Sequence, residues 1–488
     1  MKTNTRYDVV VIGAGMGGLV CGCYLAKAGM SVLIAEQHSQ PGGYCTSFKR
    51  GGFTFDVGVH YLGSCSKGRM LYKILNELGV YGDITFNRIN PSDVVILQDL
   101  EIPIKNDCME TAEVLAKKFP YERENIYNFF RLINEKNFLK TYYEVHKLTF
   151  NEILSKYFKD ERLKSFFMVL LGNIGLSSKD VAAVTAIVMY RQFVFDGGYY
   201  PRGSMQKIPD VLAAEFKKSG GQLLLSSKVD GLRMDGNKIS SVLIGDEEVS
   251  AKYVVSNSDP KKTFEMISGG GAVSIESLKR MQNLKPSVSA FIIYLGVKSI
   301  DWRYRSSVWY FDMKNADSPY EKAYHNVFNV KDEYVICTFP SFHDNSMAPV
   351  GYDSMSLIVA APNASAENNI NWRLEKEAIS DVIIDRVRKK VFPGLGEIKV
   401  KVAATPKTLE RYTSNSGGAL YGWASIPSQI DRSIMPYNTA IDNLFLAGHW
   451  VTPGLGQGGI TGAATSGRVV AKAIMQKIKN DPKIEVEK

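Results

Sequence analysis

Two stretches of the chain can bind phosphate through backbone alone. Gly13-Ala14-Gly15-Met16-Gly17-Gly18, near the start, and Gly454-Leu455-Gly456-Gln457-Gly458-Gly459, near the end, both spell G-x-G-x-x-G. In such a loop the first glycine makes a tight turn, the second lets backbone amides approach a pyrophosphate, and the third lets helix and strand pack closely. The helix N-terminus then faces the anion. The spacing is weak by itself; it gains force where a strand precedes it, a helix succeeds it, and an acid stands about 20 residues on to hold a ribose. The first loop meets these conditions. Tyr7–Ile12 is a near-continuous apolar run suited to a buried parallel strand, Met16 to Ala28 carries helix formers stopped by Gly29, and Ser31 to Ala35 returns as a strand ending in Glu36. The second loop does not. A helix over Ile460–Lys477 uses up most of the remaining chain, and "NDPKIEVEK" is too short and too polar to complete a buried βαβ unit. One dinucleotide is expected, with Glu36 at its adenosine ribose, and both loops serve it.

Beyond Glu36 and Gln37 the chain reads Gly42-Gly43-Tyr44, then "GGFTFDVGVHYLG", "YYPRGS", "VVSN", "SFHDNSMAP", "GGALYGW" and "PGLGQGG". With these motifs, over nearly its whole length, it resembles the amine-oxidase-like flavoprotein superfamily, and within it the phytoene desaturases, carotenoid cis-trans isomerases and retinol saturases. The resemblance implies FAD as the cofactor. It places Gln37, Gly42, Gly43 and Tyr44 beside FAD and the backbone of Val229 against the adenine. Gly448, Gly456, Gln457, Gly458 and Ile460 fall at the isoalloxazine, where amides and a helix dipole would stabilise the charge of reduced flavin. It also implies hydride and proton chemistry on a long apolar polyene or isoprenoid, bound by burial at about 0.8 kcal/mol per methylene. His60 and Tyr61 come after the "FDVG" stretch and Tyr199 and Tyr200 precede the next turn, so these four are the expected lining of the reactive face, with His60 as candidate proton donor. Three residues depart from relatives. Tyr44 stands where many carry arginine, which leaves Lys49 or Arg50 to supply a cation; Ser204 replaces a usual glycine; and Ala447-Gly448-His449 lacks the "AGE" common in amine oxidases. The intact glycine loops also speak against a flavin-free prenyl-protein chaperone of the same fold.

The elements that must position these residues make an α/β protein. A Rossmann-type FAD-binding domain is expected from 1–80, 201–285 and 435–488, interleaved with a mixed α+β substrate domain from 81–200 and 286–434. Between 81 and 200 the chain is read as amphipathic helices, because Phe and Tyr recur at spacings of three and four beside Lys and Arg. Leu223–Met234, Lys238–Ile244 and Glu247–Ser256 read as three β runs. Ala463, Gly467 and Ala471, at spacing four, suit a helix that lies close against its neighbour.

Composition excludes several functions. With 488 residues, 45% of them apolar, a large core can form, yet no apolar run approaches the roughly 20 residues of a transmembrane helix. Lys2 and Arg6 ahead of an apolar stretch imitate a secretory signal, but Asp8 and the glycines suit the strand and phosphate turn better. The six cysteines and six histidines show neither C-x-x-C nor H-x-x-x-H spacing, so no metal is expected and a reducing cytoplasm fits. The net charge of +9 is dispersed without a nucleic-acid motif, which argues against DNA or RNA. Basic and aromatic residues interleaved between 126 and 170 suit peripheral contact with a membrane surface.

Overall fold

The computed structural model describes residues 6–268, 271–299, 301–365, 370–430, 436–451 and 459–480. Strand β1 (Arg6–Ile12) is buried on both faces. Val9 and Val11 pack with the helices on one side, while Tyr7, Val10 and Ile12 join a second cluster containing Val229, Leu232 and Trp450. That two-sided burial explains its unbroken apolar run. The chain turns at Gly13, forms α1 (Met16–Lys27), and returns as β2 (Val32–Ala35), parallel to β1. On the other side of β1 lies β3 (Glu247–Ser256), also parallel, with Ile12 opposite Ser256. Strand β4 (Leu444–Leu446) pairs with the end of β3, Leu446 opposite Ser256. The C-terminal ends of β1, β3 and β4 therefore meet at one place, and Gly13, Asn257 and Gly448 lie just past them. Open parallel sheets bind ligands at such strand ends.

Helix α1 is apolar nearly all round because it is enclosed, and its glycines set the distances. A Cβ at Gly22 would stand 2.7 Å from Ile34 Cδ1. The last described helix, α2 (Ile460–Lys479), crosses α1 so closely that a Cβ at Gly467 would stand 2.1 Å from the Gly17 carbonyl oxygen. Arg468 on the same helix forms a two-pronged pair with Glu77, both contacts 2.7 Å.

A second sheet of seven strands runs in the order Ile398–Ala404, Ser289–Lys298, Tyr352–Ala361, Tyr334–Thr338, Ser307–Phe311, Asp93–Leu97, Leu100–Ile104. Its core includes Phe291, Ile293 and Trp309 and is continuous with the helices of the 108–194 stretch. There Ile126, Phe129, Phe130 and Ile133 form one buried helical stripe, and Phe129 meets Phe167 edge-on at 4.8 Å while Phe158 stacks on it at 5.4 Å. Most aromatics of this stretch thus serve the core; Leu139 and Tyr143 remain on the surface at 66% and 73% exposure.

Two expectations about elements need correction. The 81–200 stretch does not begin as helices: the hairpin Asp93–Leu97 and Leu100–Ile104 supplies edge strands to the second sheet, paired in parallel with Ser307–Phe311. The run Leu223–Met234 is two strands at opposite ends of the first sheet. Gln222–Leu224 pairs with β2, and after a turn in which Ser226 takes φ 53°, Val229–Asp235 pairs with Lys238–Ile244. Among the described residues no helix is long and apolar enough to cross a membrane.

Candidate active site

The first glycine turn is held open by its neighbours. Gly13, at φ 91°, donates its amide to Ala35 O at 2.8 Å, and Ala14 donates to Glu36 Oε2 at 2.7 Å. Glu36 Oε1 accepts from the His38 amide at 3.0 Å. A carboxylate has about four acceptor positions, so both oxygens keep capacity for ribose hydroxyls while they brace the turn. Gly42 donates to Ala14 O at 2.9 Å and forms a bridge with Gly15, and Gly43 lies beside Gly15 Cα. Helix α1 starts at Gly15 with no side-chain cap and no acid in its first turn, which leaves its first amides to an external anion. A Cβ at Gly18 would lie 2.1 Å from Gly13 O, so the strand and helix can meet only at glycine. Met16 is buried beneath the turn. The backbone geometry and the buried acid fit a dinucleotide phosphate.

The other expected cofactor residues are dispersed around this cradle. Gln37 donates to Ser414 Oγ at 3.2 Å, linking the end of β2 to the 413–419 turn. Tyr44 donates to Ala419 O at 3.0 Å and stacks on His449 with ring centres 6.0 Å apart. Val229 is buried at the start of its strand. Gly448, at φ 97°, donates its amide to Ser466 Oγ of α2 at 2.8 Å, and Ile460 is the first residue of α2. Gly456, Gln457 and Gly458 lie outside the described residues. Lys49 and Arg50 are exposed on a hairpin whose tip faces Val400 of the second sheet and Pro349. Ser204 occupies a left-handed position at φ 80°, the region glycine favours, and its Oγ meets Ser47 Oγ at 2.8 Å.

The four candidates for the reactive face converge, but with different fates. Leu62 and Tyr199 exchange backbone hydrogen bonds of 2.8 and 3.1 Å, which joins the two segments. Tyr61 donates to Asp93 Oδ2 at 2.7 Å, and the Trp309 indole donates to Asp93 Oδ1 at 2.8 Å. Tyr200 donates to Asp56 Oδ2 at 2.6 Å, and the Tyr199 hydroxyl accepts from Arg88. Their hydroxyls are committed. His60 is different: its Nε2 is buried without a partner, its ring packs edge-on against Tyr61 at 4.8 Å, and Phe193 stacks on Tyr61 at 4.5 Å. Phe193 belongs to a π-helical turn, Tyr190–Val194, that approaches within reach only because Gly63 has no side chain; a Cβ there would lie 2.3 Å from Gln192 O. His449 Nε2 is also buried and unpaired. Sequence reasoning gave no role to His449, Tyr421, Asp56, Asp93 or Asn257; the signal for the last was its place in "VVSN" at the end of a β run.

Burial dominates the electrostatics here. It lowers His60 and His449 to about 4, and lowers His343 to about 3 with help from the charges of Arg305 and His60. It raises Asp56 to about 7 against the hydrogen bonds from Tyr200 and Met205, and Asp93 to about 6 against those from Trp309, Tyr61 and Ser92. The signs oppose one another. A carboxyl raised on folding adds stability at low pH that is lost as pH climbs from its ordinary 3.8 to about 7 for Asp56; a histidine lowered on folding adds stability above 6.5 that is lost as pH falls towards 4. In D56N the first contribution disappears. Its stability relative to the unmodified protein is expected to rise with pH between 4 and 7 and level off above, by up to a few kcal/mol. Denaturant unfolding at a series of pH values measures this, and a flat difference would show that Asp56 titrates as an exposed acid does.

A phosphate turn between β1 and α1, an acid closing β2, and the left-handed Gly448 just after β4 define a dinucleotide-binding protein of the open parallel-sheet class. The chain belongs to the flavin containing amine oxidoreductase family, whose model matches residues 16–475, and it is an FAD-dependent oxidoreductase. It is 27% identical over 492 residues to the chloroplastic prolycopene isomerase of Daucus carota, covering 93% of this chain and 78% of that one. It is 25% identical over 523 residues to the all-trans-retinol 13,14-reductase of Danio rerio, covering 95% and 86%. In fold it is similar to an oxidoreductase from Methanosarcina mazei, with TM-score 0.68 at 18% identity over 96% of this chain and all of the other.

Proposed function

We propose that the protein moves hydride and proton on C–C or C=C bonds of a long apolar polyene, of carotenoid or retinoid type, by desaturation, saturation or isomerisation. When bound, FAD supplies the hydride chemistry. The observation that supports this reading is the lining of the segments that carry His60 and His449. Val57, Gly58, Val59, His60, Phe193, Leu420, Tyr421 and His449 all keep partial accessibility, and His60 packs edge-on against Phe193. The hydroxyls of Tyr44, Tyr61 and Tyr421 are paired with carbonyls or a buried acid, Tyr421 with Gly172 O at 3.0 Å, whereas the His60 and His449 Nε2 atoms are buried without a partner among the described residues. Such a lining suits an apolar chain.

His60 is the residue that handles the proton. Uncharged at neutral pH, it takes a proton released from carbon and returns it when the reaction runs the other way. Tyr61, Tyr199 and Tyr200 hold the segments around it. The substrate is insoluble, and exposed Leu139 and Tyr143 beside Lys136, Lys140 and Lys147 support peripheral contact of a cytoplasmic protein with a membrane surface. Titration of the holoprotein with polyenols of increasing length, monitored through flavin absorbance at roughly 450 nm, tests the substrate class. Affinity should rise about fourfold per added buried methylene. A diamine that perturbs the flavin while polyenols leave it unchanged would overturn the reading.

A further inference from the structure

The G-x-G-x-x-G rule asks for glycine at Gly13, Gly15 and Gly18, yet Gly17 and Gly448 are glycines too, and one side chain accounts for both. Asn257 comes directly after β3 and donates its backbone amide to Ile12 O at 2.9 Å, which points its side chain into the space between the two glycine turns. A Cβ at Gly17 would lie 2.5 Å from Asn257 Oδ1, and one at Gly448 would lie 2.8 Å from the same atom. A Cβ at Gly15 would lie 2.8 Å from Asn257 Nδ2. The amide thus sits flush against three glycine backbones from two separate turns.

Its hydrogen bonding is incomplete. Among the described residues Oδ1 is buried with no donor, and Nδ2 makes one long contact, 3.4 Å to Gly13 O. A primary amide has two N–H donors, so one remains, beside the glycine whose bareness lets a pyrophosphate come near. In this half-buried amide the spare N–H is the group that an anionic ligand would complete. No acid lies in the first turn of α1 to compete for that donor.

We infer that Asn257 is a side-chain member of the dinucleotide site, donating through Nδ2 to the diphosphate of FAD while its Oδ1 face spaces the Gly13–Gly18 turn from Gly448. This rests on the FAD site and is independent of the polyene reading. The two halves of the cradle are then set by one residue that neither glycine motif contains.

The test compares N257S and N257D by equilibrium titration of the apoproteins with FAD, alongside the thermal midpoint of each apoprotein. Loss of a donor to a charged group is expected to weaken FAD about tenfold or more in N257S. N257D, nearly the same shape but with a negative charge facing the diphosphate, is expected to weaken it further, by about another tenfold. A residue that merely filled space would give the opposite ranking, because aspartate preserves the packing better than serine. The inference is overturned if N257D binds FAD as tightly as N257S, or if N257S binds it like the unmodified protein. Should apo-N257D fail to fold, N257S decides alone: weaker FAD binding at an unchanged apo midpoint supports the inference, and unchanged FAD binding refutes it.

Discussion

Gly467→Val is expected to strip the protein of FAD and to destabilise it by about 3 kcal/mol or more. The reason is what a side chain there would meet. The nearest atoms to a Cβ at this position are Gly17 O at 2.1 Å, Gly17 C at 3.0 Å and Cys21 N at 3.1 Å, all backbone of α1. No rotamer change relieves such a clash, so α2 must move away or the first turn of α1 must deform. That turn carries the amides that face the phosphate, and α2 carries Ser466, which accepts the Gly448 amide. Either movement therefore reaches the cofactor from a position that does not touch it. The measurements are flavin content after gel filtration and the denaturation midpoint of the apoprotein. Val470 and Ala471 are also buried on the same helix. Wild-type flavin content in Gly467→Val would show that the helix crossing is looser than these distances require.

His60→Phe is expected to lower turnover by about a hundredfold or more while FAD content and stability stay near those of the unmodified protein. Phenylalanine keeps an aromatic ring against Tyr61, Phe193 and Trp309, the three rings within 6.3 Å of the imidazole, and removes only the nitrogens. Since Nε2 has no partner among the described residues, the change breaks no hydrogen bond there. A loss of stability equal to the loss of activity would assign His60 a packing role. Unchanged turnover would take the proton chemistry away from it.

The difference between what could and could not be read from the sequence tracks chain distance. The βαβ unit was legible because strand, glycine turn, helix and acid all lie within Arg6 to Glu36, and each imposes a local pattern. Cofactor and class came from motifs attached to it. The fate of Leu223–Met234 was not legible, since both halves are β-rich and only their partners, β2 and Lys238–Ile244, separate them. The hairpin at Asp93–Leu97 was absorbed into a helical reading because its neighbours from 108 onward are helical. The tyrosines were grouped as reactive from their position beside the "FDVG" and "YYPRGS" motifs. The hydroxyls of Tyr61 and Tyr200 are taken by Asp93 and Asp56, acids that lie 32 and 144 residues away in the chain, and that of Tyr199 accepts from Arg88; no spacing rule reveals these pairings. Asn257 escaped notice for the same reason: its importance lies in the three glycines around it, which come from positions 15, 17 and 448.

A flavin held by this cradle is proposed to exchange hydride with a polyene. Anaerobic incubation of the purified holoprotein with carotenoid-like and retinoid-like polyenes, reading flavin absorbance near roughly 450 nm together with product masses, tests it most directly. The oxidised protein is expected to bleach with a polyene that loses a hydrogen pair, or the reduced protein to regain colour as a polyene gains one. A purely isomerising enzyme would give a product of unchanged mass only when flavin is bound. Flavin that stays unchanged with every polyene, in either redox state and with no new isomer, but is reduced by an amine would contradict the account.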